Sequence, residues 1–242
     1  MTRFSSSSLF AFTLFWLSNS SVWAAVLVKD KMWPANSTLN VVFIDGTAAQ
    51  KAQVQEYAPL WLEDTSLKFR FYDGWRDAPR ESHIRVSFLS HTGSTLGNHG
   101  DLLSREPTLL LAEIATDDLP QDYARRYILH EFGHALGFEH EYRNPKWPYG
   151  MAAIETQISD CFPRLEKLGY SQTDAKRRCR EINGPLAEIA TYSTVFDEYS
   201  IMNYPQVIDL AGQGEKRIHA KSQLSVLDKV AIQRWYNQNG KE

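Results

Sequence analysis

The sequence predicts an α+β fold, with a mixed sheet backed by helices in the first half and a less regular second half that ends in a helix. Segments that alternate apolar and polar residues, as strands do, dominate the first half, and segments of helical period lie between and after them. The 242 residues are 43% hydrophobic and 23% charged. This ordinary globular composition excludes disordered, collagen-like and coiled-coil classes.

The predicted elements follow in chain order. Strands are expected at 39–44, 68–72, 83–89 and 108–114, helices at 52–61, 122–136 and 224–236, and two short helices within 158–188. The segment 90–100, rich in Gly, Ser, Thr and Asn, is expected to form a loop. Asp118 and Asp122 are N-cap candidates for the central helix, and Gly137 is its stop.

The first residues have the pattern of a secretory signal peptide. Arg3 is the only charged residue before Lys29, an apolar run covers Leu9 to Leu17, and the segment ends on a small residue at Ala24. The run is far shorter than the roughly 20 residues that span a bilayer, so no stable membrane anchor is expected. We therefore predict a signal peptide over residues 1–24 and a secreted protein, which would be extracellular or, in a bacterium, periplasmic. The alternative is that these residues form a buried N-terminal helix.

Charge and cysteine content further limit the kinds of protein that this chain can be. A formal net charge of −3 gives no electrostatic reason to expect a nucleic acid partner. In an oxidising compartment Cys161 and Cys179 are predicted to form a local disulfide, and a pair of reduced core thiols is the alternative. The length fits one domain, or two lobes that share a cleft.

Five residues at close spacing indicate a catalytic metal site. On a helix, His130 and His134 lie one turn apart, so both imidazoles project from one face. Gly137 can take a positive φ and end the helix, which lets the chain bring His140 back as a third ligand. Three imidazoles leave the fourth position of a zinc ion open for water, and Glu131 lies where a general base is needed.

The pattern H-E-x-x-H-x-x-G-x-x-H resembles the signature of the metzincin zinc proteases. That clan also has a methionine turn downstream, and Ser-Ile-Met-Asn-Tyr at Ser200–Tyr204 is similar to it; we refer to these five residues as the Met-turn. Within the clan the chain most resembles the astacin family, because Phe138 follows the turn glycine and Glu141 follows the third histidine.

This resemblance implies a metzincin-like catalytic domain over residues 25–242, with lobes of about 25–137 and 138–242. It implies one catalytic Zn²⁺, no other cofactor, and hydrolysis of peptide bonds by a zinc-activated water, which makes the chain a secreted zinc endopeptidase. The residues that carry these roles are three ligands (His130, His134 and His140), the general base Glu131, Tyr204 as a fifth ligand that swings away to help stabilise the tetrahedral intermediate, and Met202 and Gly137 as structural residues at the site.

Three further expectations accompany this resemblance. The substrate is a protein or peptide in extended conformation that pairs with the edge strand just before the zinc helix, for which residues 108–114 are the candidate. Family members bury the mature N-terminal ammonium against the acidic residue that corresponds to Glu141, and here cleavage ahead of Ala25 would create that ammonium. No propeptide of useful length is expected between the signal peptide and the catalytic domain.

The chain also departs from the family pattern. The stretch after Glu141 is shorter than usual in animal members, and the cysteines do not match the usual two-disulfide pattern. These departures indicate a divergent member, for which a microbial source is one interpretation. The alternatives are a metzincin of the serralysin or matrixin type and a non-catalytic exported zinc-containing binding protein. A second metal at His91 and His99 is a further alternative to their being solvated loop residues.

Overall fold

The computed structural model describes residues 25–114, 119–193, 195–210 and 214–238, so the predicted signal peptide lies outside the described residues. The strands are β1 (Val26–Val28), β2 (Thr38–Phe43), β3 (Lys68–Tyr72), β4 (Ile84–Ser87), β5 (Thr92–Ser94), β6 (Leu109–Leu111), β7 (Phe138–Glu139), β8 (Thr191–Tyr192), β9 (Gln206–Asp209) and β10 (Glu215–Ile218). The helices are α1 (Ala48–Tyr57), α2 (Gln121–Ala135), α3 (Ala152–Lys167), α4 (Gln172–Asn183) and α5 (Val226–Gln238). No helix within the described ranges is long and apolar enough to cross a bilayer.

A five-stranded mixed sheet forms the centre of the first half, with strand order β3-β2-β4-β6-β5. Strands β3, β2, β4 and β6 run parallel, and β5 pairs antiparallel with β6. Residues of β2 and β4 such as Val41, Ile84 and Val86 are almost fully buried, as expected of parallel strands covered by helices. The predicted α+β fold with an N-terminal mixed sheet is therefore confirmed.

The prediction that residues 108–114 form the edge strand is wrong. Strand β6 lies between β4 and β5, so both of its backbone edges are paired. On this side the edge strand of the sheet is β5, within the segment expected to be a loop. Its sequence, Thr92-Gly93-Ser94, has no apolar residue because an edge strand whose side chains are only half buried needs none.

Helix α2 carries the zinc motif. Its C-terminal end lies where the sequence predicts it, and its N-cap does not. Its N-cap is Pro120, so Asp122 lies inside the first turn and is not the cap; Asp118 lies outside the described residues. The proline side chain has no oxygen that could accept a hydrogen bond from the first turn of the helix. Asp122 instead places a negative charge at the positive end of the helix dipole. Gly137, with φ +97°, turns the chain just after the helix, as predicted.

The second half contains two helices, α3 and α4, that are longer than the two short helices expected. They are joined by a turn at Gly169 with φ +89°. A disulfide between Cys161 and Cys179 links them, with a Cα–Cα distance of 5.7 Å. Their apolar faces meet Tyr142 in a second, small core. This core lies directly beside the chain that leaves the zinc motif.

The two ends of the described chain are attached to the end of α2. Strand β1 pairs antiparallel with β7 on one side and with β8 on the other. From α5, the Tyr236 hydroxyl donates to the carbonyl of Leu136 at 2.7 Å and accepts from the amide of Trp33 at 3.2 Å. The segment that turns the third histidine into the site is thereby braced by both termini.

Candidate active site

Three histidine side chains converge at the end of α2. His130 and His134 project from one face of the helix, and the turn at Gly137 followed by β7 returns His140 to that face. The Nε2 atom of His140 lies 3.2 Å from Nε2 of His130 and 3.1 Å from Nε2 of His134. Within the described ranges, this is the only group of three or more His, Cys, Asp or Glu residues placed to hold a metal ion.

Backbone carbonyls set the tautomers of two of these rings. Nδ1 of His130 lies 2.9 Å from the carbonyl oxygen of Ile201, and Nδ1 of His134 lies 2.7 Å from that of Phe138. A carbonyl only accepts, so each Nδ1 carries the proton and donates it. Each Nε2 therefore has a free lone pair directed at the common centre, which is the form that binds metal.

The donor set fits zinc. Burial lowers the pKa of His130 to about 3 and that of His134 to about 4, and it lowers the pKa of His140 well below its ordinary value, so all three rings are neutral at physiological pH. Neutral lone pairs that face each other at this distance repel unless a cation lies between them. Tetrahedral zinc with Zn–N bonds of about 2.0–2.1 Å separates its nitrogen ligands by roughly 3.3 Å, close to the separations found here.

Glu131 lies on α2 beside the first ligand and is only 5% exposed. Its Oε2 atom has no hydrogen-bond partner among the described residues. Burial raises the pKa of its carboxyl to about 8, and the negative charge of Glu113 adds to the rise. An unpaired buried carboxyl beside three metal-binding nitrogens has the chemistry of a general base, because a bound cation would favour its ionised form.

The Met-turn lies under the three histidines. Met202 is fully buried, and its sulfur packs so closely on Gly133, in the middle of the zinc motif, that no Cβ would fit there. The carbonyl of Ile201 accepts from His130 at 2.9 Å. The turn thus contacts the zinc helix through both a side chain and a backbone oxygen.

Tyr204, at the end of the Met-turn, stands over the site. Its ring centroid lies 4.3 Å from that of His140 and 5.4 Å from that of His130. Burial raises the pKa of the Tyr204 hydroxyl, and the charge of Glu131 adds a smaller rise, so the hydroxyl stays protonated. A protonated phenol at this position is a hydrogen-bond donor to any oxygen bound between the histidines.

Glu141 is fully buried behind the third ligand. Its Oε2 atom accepts from the amide of Asp197 and from the side chain of Asn144, each at 3.3 Å. Its Oε1 atom has no partner in the described chain, and burial raises the pKa of this carboxyl well above its ordinary value. A buried carboxylate with one oxygen free is a place for a cation.

Several residues at the site carry no signal that the sequence analysis detected. Arg143 donates to Glu139 at 2.5 Å, and the ring of Tyr142 stacks on His140 with centroids 5.2 Å apart. Glu139 also accepts from the amide of His140 at 3.3 Å. The alternation of charged residues around the third histidine, at 139, 141 and 143, is the only hint of this pairing in the sequence.

The loop histidines His91 and His99 are not part of the three-histidine group. His91 contacts Ser90 at 3.0 Å, and Nδ1 of His99 lies 3.2 Å from the Nζ atom of Lys31. Neither belongs to a group able to hold a metal in the described part of the chain.

Comparisons with known proteins rest on structure. No family model matches the chain, and no curated protein matches its sequence. A structure of myroilysin has a TM-score of 0.67 and 25% identity over 87% of this chain and 98% of that chain, and a second, crystal structure of myroilysin has a TM-score of 0.59 and 24% identity over 86% of each chain. High choriolytic enzyme 1, a hatching enzyme zinc-protease from Oryzias latipes (medaka fish), has a TM-score of 0.51 and 18% identity over 90% of this chain and 96% of that chain.

The chain has the fold of an astacin-like zinc protease. Its identity to each of these structures is 25% or less, so the likeness is one of fold.

The likeness in three dimensions extends over most of the chain. The alignments cover 87% of it with myroilysin and 90% with the hatching enzyme. The resemblance drawn from residues 130–141 and 200–204 and the likeness in three dimensions therefore agree.

Proposed function

We propose that this chain is an exported zinc endopeptidase, with residues 25–242 as its catalytic domain and the lobes on either side of Gly137. The observation that supports it best is the convergence of three neutral imidazole Nε2 atoms beside the unpaired, buried carboxyl of Glu131. Peptide hydrolysis by the zinc-loaded protein, lost on chelation, is the experiment that tests it.

His130, His134 and His140 would hold the zinc ion. When bound, the ion supplies a Lewis acid that makes water a nucleophile near neutral pH and polarises the scissile carbonyl. Glu131 takes the proton of the attacking water on its free carboxylate oxygen and delivers it to the nitrogen of the leaving amine. Tyr204 donates its hydroxyl hydrogen to the oxygen on which negative charge develops.

The substrate is proposed to be an extended peptide that pairs with β5, which replaces residues 108–114 as the candidate strand. In the β5–β6 ladder the amide of Thr95 donates to Thr108 and the amide of Ala112 donates to His91, so odd-numbered residues of this segment face β6. The even-numbered Thr92 and Ser94 then direct their N–H and C=O groups away from the sheet. A backbone laid along this edge would complete the ladder.

Replacing Ser94 with proline tests the edge directly. The substitution removes an N–H that points away from β6 and leaves the β5–β6 hydrogen bonds in place, so KM for extended peptides is expected to rise about three- to tenfold, the contribution of one hydrogen bond. Ser94→Ala is the matched control, since it loses the hydroxyl and keeps the amide. An unchanged KM for Ser94→Pro would show that substrate does not pair here.

The free oxygen of Glu141 is proposed to receive the N-terminal ammonium of a chain that starts at Ala25. The β1–β7 register pairs Val26 with Glu139, and its continuation brings Ala25 opposite His140, next to Glu141. Ala25 is itself only 3% exposed. An ammonium at this position would keep the buried Glu141 carboxylate ionised.

Adding residues ahead of Ala25 is therefore expected to lower the free energy of unfolding by about 3 kcal/mol, because the buried carboxylate loses its partner. Thermal unfolding of extended and processed proteins measures this difference, and peptide cleavage should fall with it. In a Glu141→Gln background the extension should have a much smaller effect. Full stability and activity of the extended, unprocessed protein would refute the pairing.

Export is proposed from the signal-like pattern at residues 1–24, and the Cys161–Cys179 disulfide is what an oxidising compartment favours. The partner is proposed to be a protein or peptide, and neither nucleic acid nor a membrane anchor enters the proposal.

A further inference from the structure

We propose that Asp228, on the C-terminal helix, is a positioning residue for the zinc ligand His130. It acts through the backbone of one residue of the Met-turn, Ile201. This inference rests on the proposed zinc site but makes a separate claim about which residue holds one of its ligands in place.

Asp228 is fully buried in the first turn of α5. Its Oδ2 atom accepts from the amide of Ser225 at 2.9 Å, and its own amide donates to the Ser225 hydroxyl at 2.9 Å. This reciprocal pair caps the start of the helix. A capping role needs only one carboxylate oxygen and leaves the other to be explained.

The remaining contacts of this carboxylate go to the Met-turn. Its Oδ1 atom accepts from the Ser200 hydroxyl at 2.7 Å, and its Oδ2 atom accepts from the amide of Ile201 at 2.9 Å. The Ser200 hydroxyl in turn accepts from the amide of Met202 at 3.0 Å. One side chain from α5 therefore fixes, directly or through Ser200, the amides of two successive residues of the turn.

The backbone hydrogen bonds of Ile201 connect Asp228 to the metal site. Ile201 donates its N–H to Asp228 and accepts at its C=O from Nδ1 of His130 at 2.9 Å. The carbonyl to which His130 donates therefore belongs to a residue whose own amide Asp228 holds. Partners of this kind fix the ring orientation and tautomer of a metal-bound histidine and raise its basicity.

The ionised carboxylate suits this role better than a neutral group would. Hydrogen bonds to a charged acceptor are shorter and stronger than neutral ones, and they polarise the groups in a chain. All the donors to Asp228 come from only two segments, the start of α5 and the Met-turn. Its hydrogen bonds thus join the end of the chain to the floor of the site.

The test is the zinc dissociation constant of the purified protein, measured by competition with a chelator at pH 8 and at a temperature where every variant is folded. Asp228→Asn keeps the shape of the side chain and removes its charge. We expect it to weaken zinc binding roughly tenfold, within the range typical for partners of a metal-bound histidine. Ser200→Ala, which removes one donor, should weaken binding in the same direction by a smaller factor.

Thr47→Ala is the matched control. Thr47 caps α1 with a reciprocal pair to Gln50, far along the chain from the site, so its loss lowers stability without touching the Met-turn. Its zinc affinity should equal that of the wild type. If Asp228→Asn binds zinc within threefold of Thr47→Ala, the proposal is overturned. If Asp228→Asn does not fold, Ser200→Ala decides by the same comparison. A wild-type chain that binds zinc but cleaves no peptide would refute the proposed function and leave this inference standing.

Discussion

Replacing Glu131 with alanine or glutamine is expected to lower kcat by about 10²–10⁴-fold while the protein keeps its zinc, because a general base contributes that much and is not a ligand. The carboxyl lies beside the first histidine with one oxygen unpaired, so its removal leaves the three imidazoles in place. Steady-state cleavage of a peptide, together with zinc content by elemental analysis, measures both quantities on the same sample.

Glu113→Gln is the matched control for this experiment. Glu113 is an exposed acid whose charge reaches Glu131, and it contacts no ligand histidine among the described residues. Its substitution changes the local charge by the same amount and should change kcat only slightly. Normal turnover in Glu131→Gln would show that another group takes the proton.

Replacing His134 with alanine is expected to weaken zinc binding strongly and to abolish cleavage. Three ligands share a binding free energy on the order of 10 kcal/mol or more, so the loss of one should weaken binding by about 10²–10⁴-fold. The variant also loses the hydrogen bond that His134 makes to Phe138 at the turn. Zinc titration by competition with a chelator gives the affinity.

The same substitution predicts a change in heat stability. Zinc at a thousand times its dissociation constant stabilises a folded protein by about 4 kcal/mol, so excess zinc should raise the Tm of the wild type and leave that of His134→Ala nearly unchanged. His99→Ala, at an exposed loop histidine, should behave as the wild type. A full complement of tightly bound zinc in His134→Ala would contradict the assignment of the ligands.

The sequence was informative wherever local pattern decides structure. Strand β3 occupies the residues that its alternation predicts, and α2 ends near Gly137 because only a residue that tolerates φ +97° allows the turn. The three histidines needed no tertiary information, since helical geometry and one glycine turn bring them together. These are short-range features, and the sequence carries them directly.

Features that depend on contacts between distant segments were not predictable. Strand β5 lacks alternation because it lies at an edge, and β7 and β8 are two-residue strands formed only by pairing with β1. The hydrogen bond from Ile201 to Asp228 joins residues separated by a hairpin and a loop, and nothing in either segment alone predicts it. The partners of such residues become visible only in the folded chain.

Exposing an unbiased peptide library to the purified protein, with and without a zinc chelator and beside the Glu131→Ala variant, tests whether this chain is a zinc endopeptidase. We expect cleavage within peptides that the chelator stops, that added zinc restores, and that the variant lacks. A wild-type protein that binds zinc through its three histidines and leaves every peptide intact would contradict it.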